Sequence, residues 1–176
     1  NGVFHNAIVA SDDIHIGNEG ASRRQIVFHG NVDLGGDARV FNLNQIPTDS
    51  DANPVSFAGV ISNGGLVKQG ESPMIITGIN TFEGDTVIEG GELRINSSGS
   101  IASSERIILH EDTLLTITND YELSSGQVLT GAGQVSTRLR IGQGLIEPGM
   151  NGVGTLSFDG ELLRLDGGAI NFDGDS

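Results

Sequence analysis

The feature that most constrains the fold is the placement of glycines around very short runs of β-forming residues. In residues 79–95, "INTFEGDTVIEGGELRI", the glycines Gly84, Gly90 and Gly91 bound the runs "TVIE" and "ELRI". β-branched residues in such runs favour strands, but the spacing leaves no room for the two-residue turn of an ordinary hairpin. The chain is therefore expected to turn a corner at these glycines without folding back on itself.

The same pattern recurs along the whole chain, and almost no 3.6-residue periodicity accompanies it. Short runs such as "QIVFHG", "RVFNLN" and "RIILHED" end in Gly, Asn, Asp or Ser, which predicts an all-β protein. The 27 glycines among 176 residues are about twice the usual share of roughly 7%. Aromatic residues make up only 5%, so the aromatic-rich core and hairpin turns of a sandwich or barrel are not indicated.

Comparable strands return about every 20 to 24 residues. Leu93, Leu115, Leu139 and Leu163 are separated by 22, 24 and 24 positions, a period typical of solenoids. In a solenoid each turn buries its apolar side only against its neighbours, so Ile, Leu and Val stack in ladders. We therefore predict a right-handed parallel β-helix. Residues 1–176 would form a single β-helical domain or a segment of a longer protein.

Two stretches depart from the pattern. Residues 101–112, "IASSERIILHED", either begin a helical turn at Ser103 or Ser104 or form a polar loop before a strand, which is the preferred interpretation. Residues 43–56, "LNQIPTDSDANPVS", contain two prolines and several acidic or amide residues. They are predicted to bulge from one turn of the coil as a loop.

Residues 59–95 resemble a known repeat. The stretch "GVISNGGLVKQGESPMIITGINTFEGDTVIEGGELRI" is similar to the autotransporter-associated β-strand repeat of type V secreted passenger domains. The positions that match this repeat are Gly59, Ile61, Gly64, Gly65, Leu66, Lys68, Gly70, Met74, Ile76, Gly78, Asn80, Phe82, Gly84, Thr86, Ile88, Gly90 or Gly91, and Leu93. Phe82 stands where Tyr is usual, and "ESP" at residues 71–73 replaces a corner that contains glycine. A looser likeness covers residues 30–172 and includes the "PG…GTL" corner of residues 144–162.

The resemblance implies a parallel β-helix, export from a Gram-negative-type cell and exposure at the cell surface or outside it. It implies no particular activity, because the repeat is scaffold and a fold does not give a function. We therefore expect a non-enzymatic structural or adhesive segment of a secreted or cell-surface protein, such as an extracellular fibre subunit. The alternative is a β-helical enzyme that degrades polysaccharides.

Charge narrows the expected partners. The formal net charge is −14, which argues against nucleic acid and anionic membranes, since both require a basic patch. No apolar run reaches the roughly 18 residues of a membrane span. The expected partners are copies of the chain or neighbouring turns of one parent chain, together with a glycan or host-surface ligand. Residues 48–54 are one candidate loop for such a ligand.

The enzymatic alternative rests on Asp12 and Asp13 in "SDDIHIG". Paired carboxylates are what inverting glycoside hydrolysis needs, and the pair resembles that of β-helical pectin hydrolases. Adjacent strand residues point to opposite faces, however, and the companion "NTD", "GHG" and "RIK" motifs of those hydrolases do not occur here. A solvated acidic turn is therefore preferred, and no catalytic residue is predicted.

Metal and cofactor sites have little support in the sequence. His5, His15, His29 and His110 lie in separate segments, and although His15 and His29 are candidates to stack on adjacent turns, two histidines need further ligands to hold a metal. The acidic segment "NFDGDS" at residues 171–176 is rich in oxygen ligands but lacks the distal Glu of an EF-hand. No metal ligand set and no cofactor are predicted.

Overall fold

A computed structural model describes residues 2–18, 25–45, 54–96, 98–149, 154–160 and 162–171. Within these ranges the chain forms strands and turns and no helix. The strands assemble into two eight-stranded sheets and two three-stranded sheets. The prediction of an all-β protein is therefore confirmed.

The strands fall into three sets according to their place in each turn of the chain. The first sheet contains β1 (Gly2–Phe4), β4 (Ile26–Phe28), β7 (Val55–Phe57), β10 (Met74–Ile76), β12 (Glu92–Ile95), β14 (Leu114–Ile117), β17 (Gln134–Ser136) and β20 (Ser157–Phe158). The second contains β3 (Ile14–Asn18), β6 (Ala38–Gln45), β9 (Gly65–Gln69), β11 (Thr86–Ile88), β13 (Arg106–Leu109), β16 (Val128–Gly131), β19 (Leu145–Pro148) and β22 (Ala169–Ile170). The third set forms two short sheets, one of β2 (Ile8–Val9), β5 (Val32–Asp33) and β8 (Ile61–Ser62), the other of β15 (Tyr121–Leu123), β18 (Leu139–Ile141) and β21 (Leu163–Leu165).

Each turn of the chain adds one strand to the first sheet and one to the second. Along the chain, the strands of the third set come between these two in every turn that has them. Neighbouring strands pair in parallel, for example β10 with both β7 and β12. This arrangement is a parallel β-helix, as the sequence predicted. Its right-handed sense stays a prediction, supported by the strong preference of parallel crossovers for that hand.

Ladders of side chains that point inward fill the core. One ladder in the first sheet runs through Val55, Met74, Leu93, Leu115 and Val135, which face one another in register and are at most 1% exposed. Because side chains alternate between the two faces of a strand, one buried row of this kind leaves the next residues outside. The burial of successive rows against each other is the main stabilisation of the coil.

The three glycines of residues 79–95 lie at corners, as predicted. Gly91 has a φ of +64°, a conformation that residues with a Cβ rarely adopt. At Gly84 the reason is space, because an added Cβ would lie 2.8 Å from the carbonyl oxygen of Gly64 on the preceding turn. Strands β11 and β12, which flank Gly90 and Gly91, belong to different sheets. The glycine spacing therefore marks changes of direction.

The leucine period mixes two sheets. Leu93 pairs with Leu115 in the first sheet, and Leu139 pairs with Leu163 in the third set. Leu115 pairs with Val135 and not with Leu139. The even spacing of the leucines therefore does not follow a single ladder, although the length of a turn lies within the predicted range. A repeat of this length gives the number of residues in a turn but not the sheet to which each leucine belongs.

Between β8 and β15 the third set has no strand in the two turns of residues 77–85 and 98–105, which are described in full. The polar loop interpretation of residues 101–104 is confirmed, because they form a turn in which the N–H of Ser104 donates to the carbonyl of Ile101 at 3.1 Å. Side chains replace the missing strand contacts. The amide of Asn80, which is 4% exposed, accepts the N–H of Ile61 and donates to the carbonyl of Ser100.

Candidate functional site

Three arginines and three carboxylates form one outward-facing surface on β15, β18 and β21, which we call the arginine face. Its members are Arg138, Arg140, Arg164, Asp120, Glu122 and Asp166. The strands alternate, so that Leu139 and Ile141 point into the core while the arginines beside them point out. Parallel register then places Arg140 directly between Glu122 and Arg164.

Asp166 links the two arginines that face each other. The Nε of Arg140 donates to its Oδ2 at 2.6 Å, and the Nε of Arg164 donates to its Oδ1 at 2.8 Å. Arg140 also donates from Nη1 to Glu122 at 3.1 Å. Like charges directly opposite on neighbouring strands are destabilising, and Asp166 reduces that repulsion by accepting from both.

Hydrogen bonds shift the pKa values of two groups on this surface, Asp166 and Arg140, in the direction that favours their charged forms. The hydrogen bond from Arg140 is the main cause that lowers the pKa of Asp166, and Arg164 contributes as well. The pKa of Arg140 is raised, first by its hydrogen bond to Asp166 and then by the charge of Glu122. Arg138 lies 3.3 Å from Asp120 at the edge of the surface. The arginine face is therefore an ordered array of charges.

A shallow cleft of about 490 Å³ runs over this surface. Besides the charged groups, its lining includes Tyr121 and Leu162. Leu162 is 43% exposed. Burial raises the pKa of Tyr121, whose hydroxyl accepts a hydrogen bond from Nε2 of Gln127 at 3.1 Å. The cleft thus combines guanidinium groups with an apolar area.

The sequence contains a signal that predicts this surface. The 24-residue spacing of Leu139 and Leu163 predicts that these leucines are neighbours, and the structure pairs them. The residues that follow them, Arg140 and Arg164, must then also be neighbours on the opposite face. What the sequence does not reveal is the bridging position of Asp166.

Asp12 and Asp13, the pair behind the enzymatic alternative, lie in the exposed turn before β3. Oδ1 of Asp13 accepts the N–H of Val40 at 2.9 Å, and Oδ1 of Asp12 accepts the N–H of Asp13 at 2.9 Å. Both carboxylates therefore serve as acceptors for the backbone at the start of a strand. This supports the solvated acidic turn.

The observed pair of stacked histidines is not the candidate pair of His15 and His29. His29 stacks on His5, with ring centroids 5.0 Å apart and planes 10° apart, whereas His15 lies opposite Asn42 in the second sheet. In the described part of the chain, no three or more His, Asp or Glu side chains are grouped so that they could hold a metal ion. The candidate binding loop at residues 48–54, apart from Pro54, and nearly all of the acidic segment 171–176 lie outside the described residues.

Lys68 is fully buried within an apolar ladder, between Phe41 and Ile88. Its ammonium donates to the carbonyls of Gln69, Gly70 and Gly90 at 2.6–2.9 Å. Burial lowers the pKa of Lys68 to about 8, and the charges of Glu71 and Glu92 oppose that shift. A lysine without solvent access and with every N–H engaged holds a corner together and offers no nucleophile to a substrate.

Comparison with known proteins gives two relatives of modest identity. The chain is 30% identical over 118 residues to the adhesin BmaC autotransporter of Brucella suis biovar 1 (strain 1330), which covers 65% of this chain and 3% of the adhesin. It is 36% identical over 110 residues to an extracellular serine protease of Serratia marcescens, which covers 62% of this chain and 9% of the protease. No protein-family model and no solved structure matches the chain.

The relatives support a relation to autotransporter passenger domains. They also point to a location at the cell surface or outside the cell. The chain corresponds to less than a tenth of either relative. Within the residues that the structure describes, no helix is long and apolar enough to cross a membrane. The fold and the two relatives together indicate a β-helical segment of the secreted or surface-exposed kind.

Proposed function

We propose that the chain is a non-enzymatic structural and adhesive segment, which builds a rod and displays side chains on its outer faces. The observation that carries this proposal is the parallel stacking of successive turns over two eight-stranded sheets. Such a stack extends along one axis, and each turn contacts only its neighbours. The adhesin relative supports the adhesive part of the proposal.

The two ends of the stack support association between copies. At the first turn, Val3, Phe4 and Val9 are 52%, 49% and 74% exposed. Phe4 stacks on Phe28 at 5.0 Å and is the open end of an aromatic ladder. Edge strands that expose apolar side chains are templates for further pairing.

The last turn also exposes apolar side chains. Leu163 and Leu165 are 43% and 56% exposed, although Leu139 and Ile141, which they pair with in register, are at most 2% exposed. The same ladder is thus buried in one turn and open in the next. We propose that another copy of the chain, or a neighbouring turn of one parent chain, covers each end.

Sedimentation velocity over a range of concentrations tests the assembly. We expect the 176-residue chain to form end-to-end oligomers as its concentration rises, and Phe4→Lys to reduce them by placing a charge on the edge strand. Ile79→Lys is the matched control, since Ile79 is 63% exposed but lies away from the ends. A compact monomer at high concentration would rule out this mode of assembly.

Adhesion is tested with beads that carry the full chain. We expect such beads to bind to cells that have glycan-rich surfaces, and uncoated beads to remain free. Equal retention of both would contradict the adhesive role and leave only the scaffold.

A further inference from the structure

We propose that the arginine face binds an acidic polysaccharide through the carboxylate groups of its sugars. This inference rests on the proposed adhesive function and names the class of ligand. The first argument is the distribution of charge. The chain has 23 acidic residues and only nine Lys and Arg, eight of them arginines, yet three arginines share this surface. Asp120, Glu122 and Asp166 balance these three charges, so the arginine face is formally neutral on a chain of net charge −14 and repels an anion less than the rest of the surface does.

Not every guanidinium N–H group of the arginine face is engaged in a contact among the described residues. Arg164, whose side chain is 63% exposed, contacts Asp166 through Nε alone, as far as the described residues show. A guanidinium carries five N–H donors. The terminal nitrogens of Arg164 therefore remain available for a carboxylate, and a two-point contact of this kind is the strongest that arginine makes with such a group.

The spacing of the arginines suits a ligand with repeated charges. Arg140 and Arg164 lie on adjacent parallel strands, which are about 4.8 Å apart. Asp166 accepts from both guanidinium groups, and Glu122 accepts from Arg140 as well. Among the described residues, Arg164 thus has only a shared carboxylate partner, and a carboxylate from outside would pair with its terminal nitrogens. A polymer that carries a carboxylate at regular intervals can supply such groups to successive turns.

The geometry favours a polysaccharide over an acidic peptide. Peptides often bind to sheets by adding a strand to a free edge, whereas this cleft lies over the face of the sheet, across β18, which is paired with β15 and with β21. The cleft offers only side chains. Leu162, 43% exposed in the lining, provides an apolar area against which the C–H groups of a sugar ring can pack.

Isothermal titration of the full chain with alginate oligosaccharides tests the proposal. Neutral dextran oligosaccharides of equal length and poly-L-glutamate are titrated in parallel. We expect saturable binding of alginate alone, which weakens as NaCl rises from about 0.05 M to about 0.5 M because exposed charges are screened. Arg164→Gln should weaken binding about tenfold, the effect of losing one charge-assisted contact.

Arg106→Gln is the matched control, because it removes the same charge from an exposed position on β13 of the second sheet. We expect it to leave alginate binding unchanged. Arg138→Gln is a second test at the arginine face, and circular dichroism verifies the fold of each variant. Absence of alginate binding at low salt, an equal loss in Arg106→Gln, or tighter binding of poly-L-glutamate would each overturn the proposal. If coated beads still adhere to cells in those cases, the adhesive function stands and only the ligand class is wrong.

Discussion

Oδ1 of Asn80 accepts the backbone N–H of Ile61 at 2.8 Å from a position where the third set of strands is interrupted. Its Nδ2 donates to the carbonyl of Ser100 on the following turn at 3.0 Å. One side-chain amide thus connects three successive turns. Because Asn80 is only 4% exposed, water cannot readily replace it.

Replacement of Asn80 should therefore be costly. We expect Asn80→Ala to lower the free energy of unfolding by about 3 kcal/mol, because it leaves one buried donor and one partly buried acceptor unpaired. Asn31→Ala is the control. Asn31 makes the same kind of bond, to the N–H of Val60 at 3.0 Å, but is exposed, so its loss should cost less than about 1 kcal/mol. Urea denaturation measures both, and equal losses would contradict the bridging role.

Features that repeat could be predicted from the sequence, whereas contacts that occur once could not. Glycine corners and alternating runs occur in every turn, so they established the class of fold. The side of the coil that each strand occupies depends on the number of residues at every corner, which is why the even spacing of Leu115 and Leu139 does not make them neighbours.

The contacts of single side chains were beyond sequence reasoning for a different reason. Asn80 and Lys68 were recognised as positions of a repeat, but their partners are backbone groups, and both residues bond to a turn about 20 residues away. Any residue type can supply a backbone group, so no sequence signal identifies the partner. The arginine face lay within reach of prediction, since its arginines follow the paired leucines Leu139 and Leu163.

A second prediction concerns glycines that lie close to the backbone of the preceding turn. A Cβ at Gly59 would lie 2.2 Å from the carbonyl oxygen of Gly30, a backbone atom that cannot move without separating two turns. We expect Gly59→Ala to destabilise the chain by more than about 3 kcal/mol, at the upper end for overpacking. Gly126→Ala isolates backbone strain, since Gly126 has a φ of +84° with no atom within 4 Å of an added Cβ. It should cost only about 1 kcal/mol. Thermal denaturation compares the two, and the reverse order would refute the steric explanation.

The lowered pKa of Lys68 predicts how the free energy of unfolding depends on pH. Its folded pKa of about 8 lies below the ordinary value of 10.5. Between these values the folded chain has released a proton that the unfolded chain still holds, so unfolding takes up a proton and the free energy of unfolding rises with pH. The rise amounts to about 3 kcal/mol by pH 10.5. Below pH 8 both states are protonated, and this contribution no longer changes.

The comparison that isolates this effect is with Lys68→Met, which keeps the apolar stem and removes the titrating group. Urea denaturation of both proteins at several pH values between 8 and 10.5 should show the wild type gaining stability relative to the variant. The ionisation of Tyr121, whose pKa burial raises, is common to both and cancels in the difference. Parallel pH profiles would show that Lys68 titrates normally.

The enzymatic alternative makes the last prediction. Because Asp13 accepts the N–H of Val40 in an exposed turn, we expect the chain to release no new reducing ends or unsaturated products from alginate or other acidic polysaccharides. Asp13→Ala should lower the free energy of unfolding by less than about 1 kcal/mol, the value of one exposed hydrogen bond, and should leave alginate binding unchanged. Asp12→Ala serves as the companion variant. Turnover by the wild-type chain that either substitution abolishes would establish hydrolysis at this turn and displace the structural role proposed for the pair.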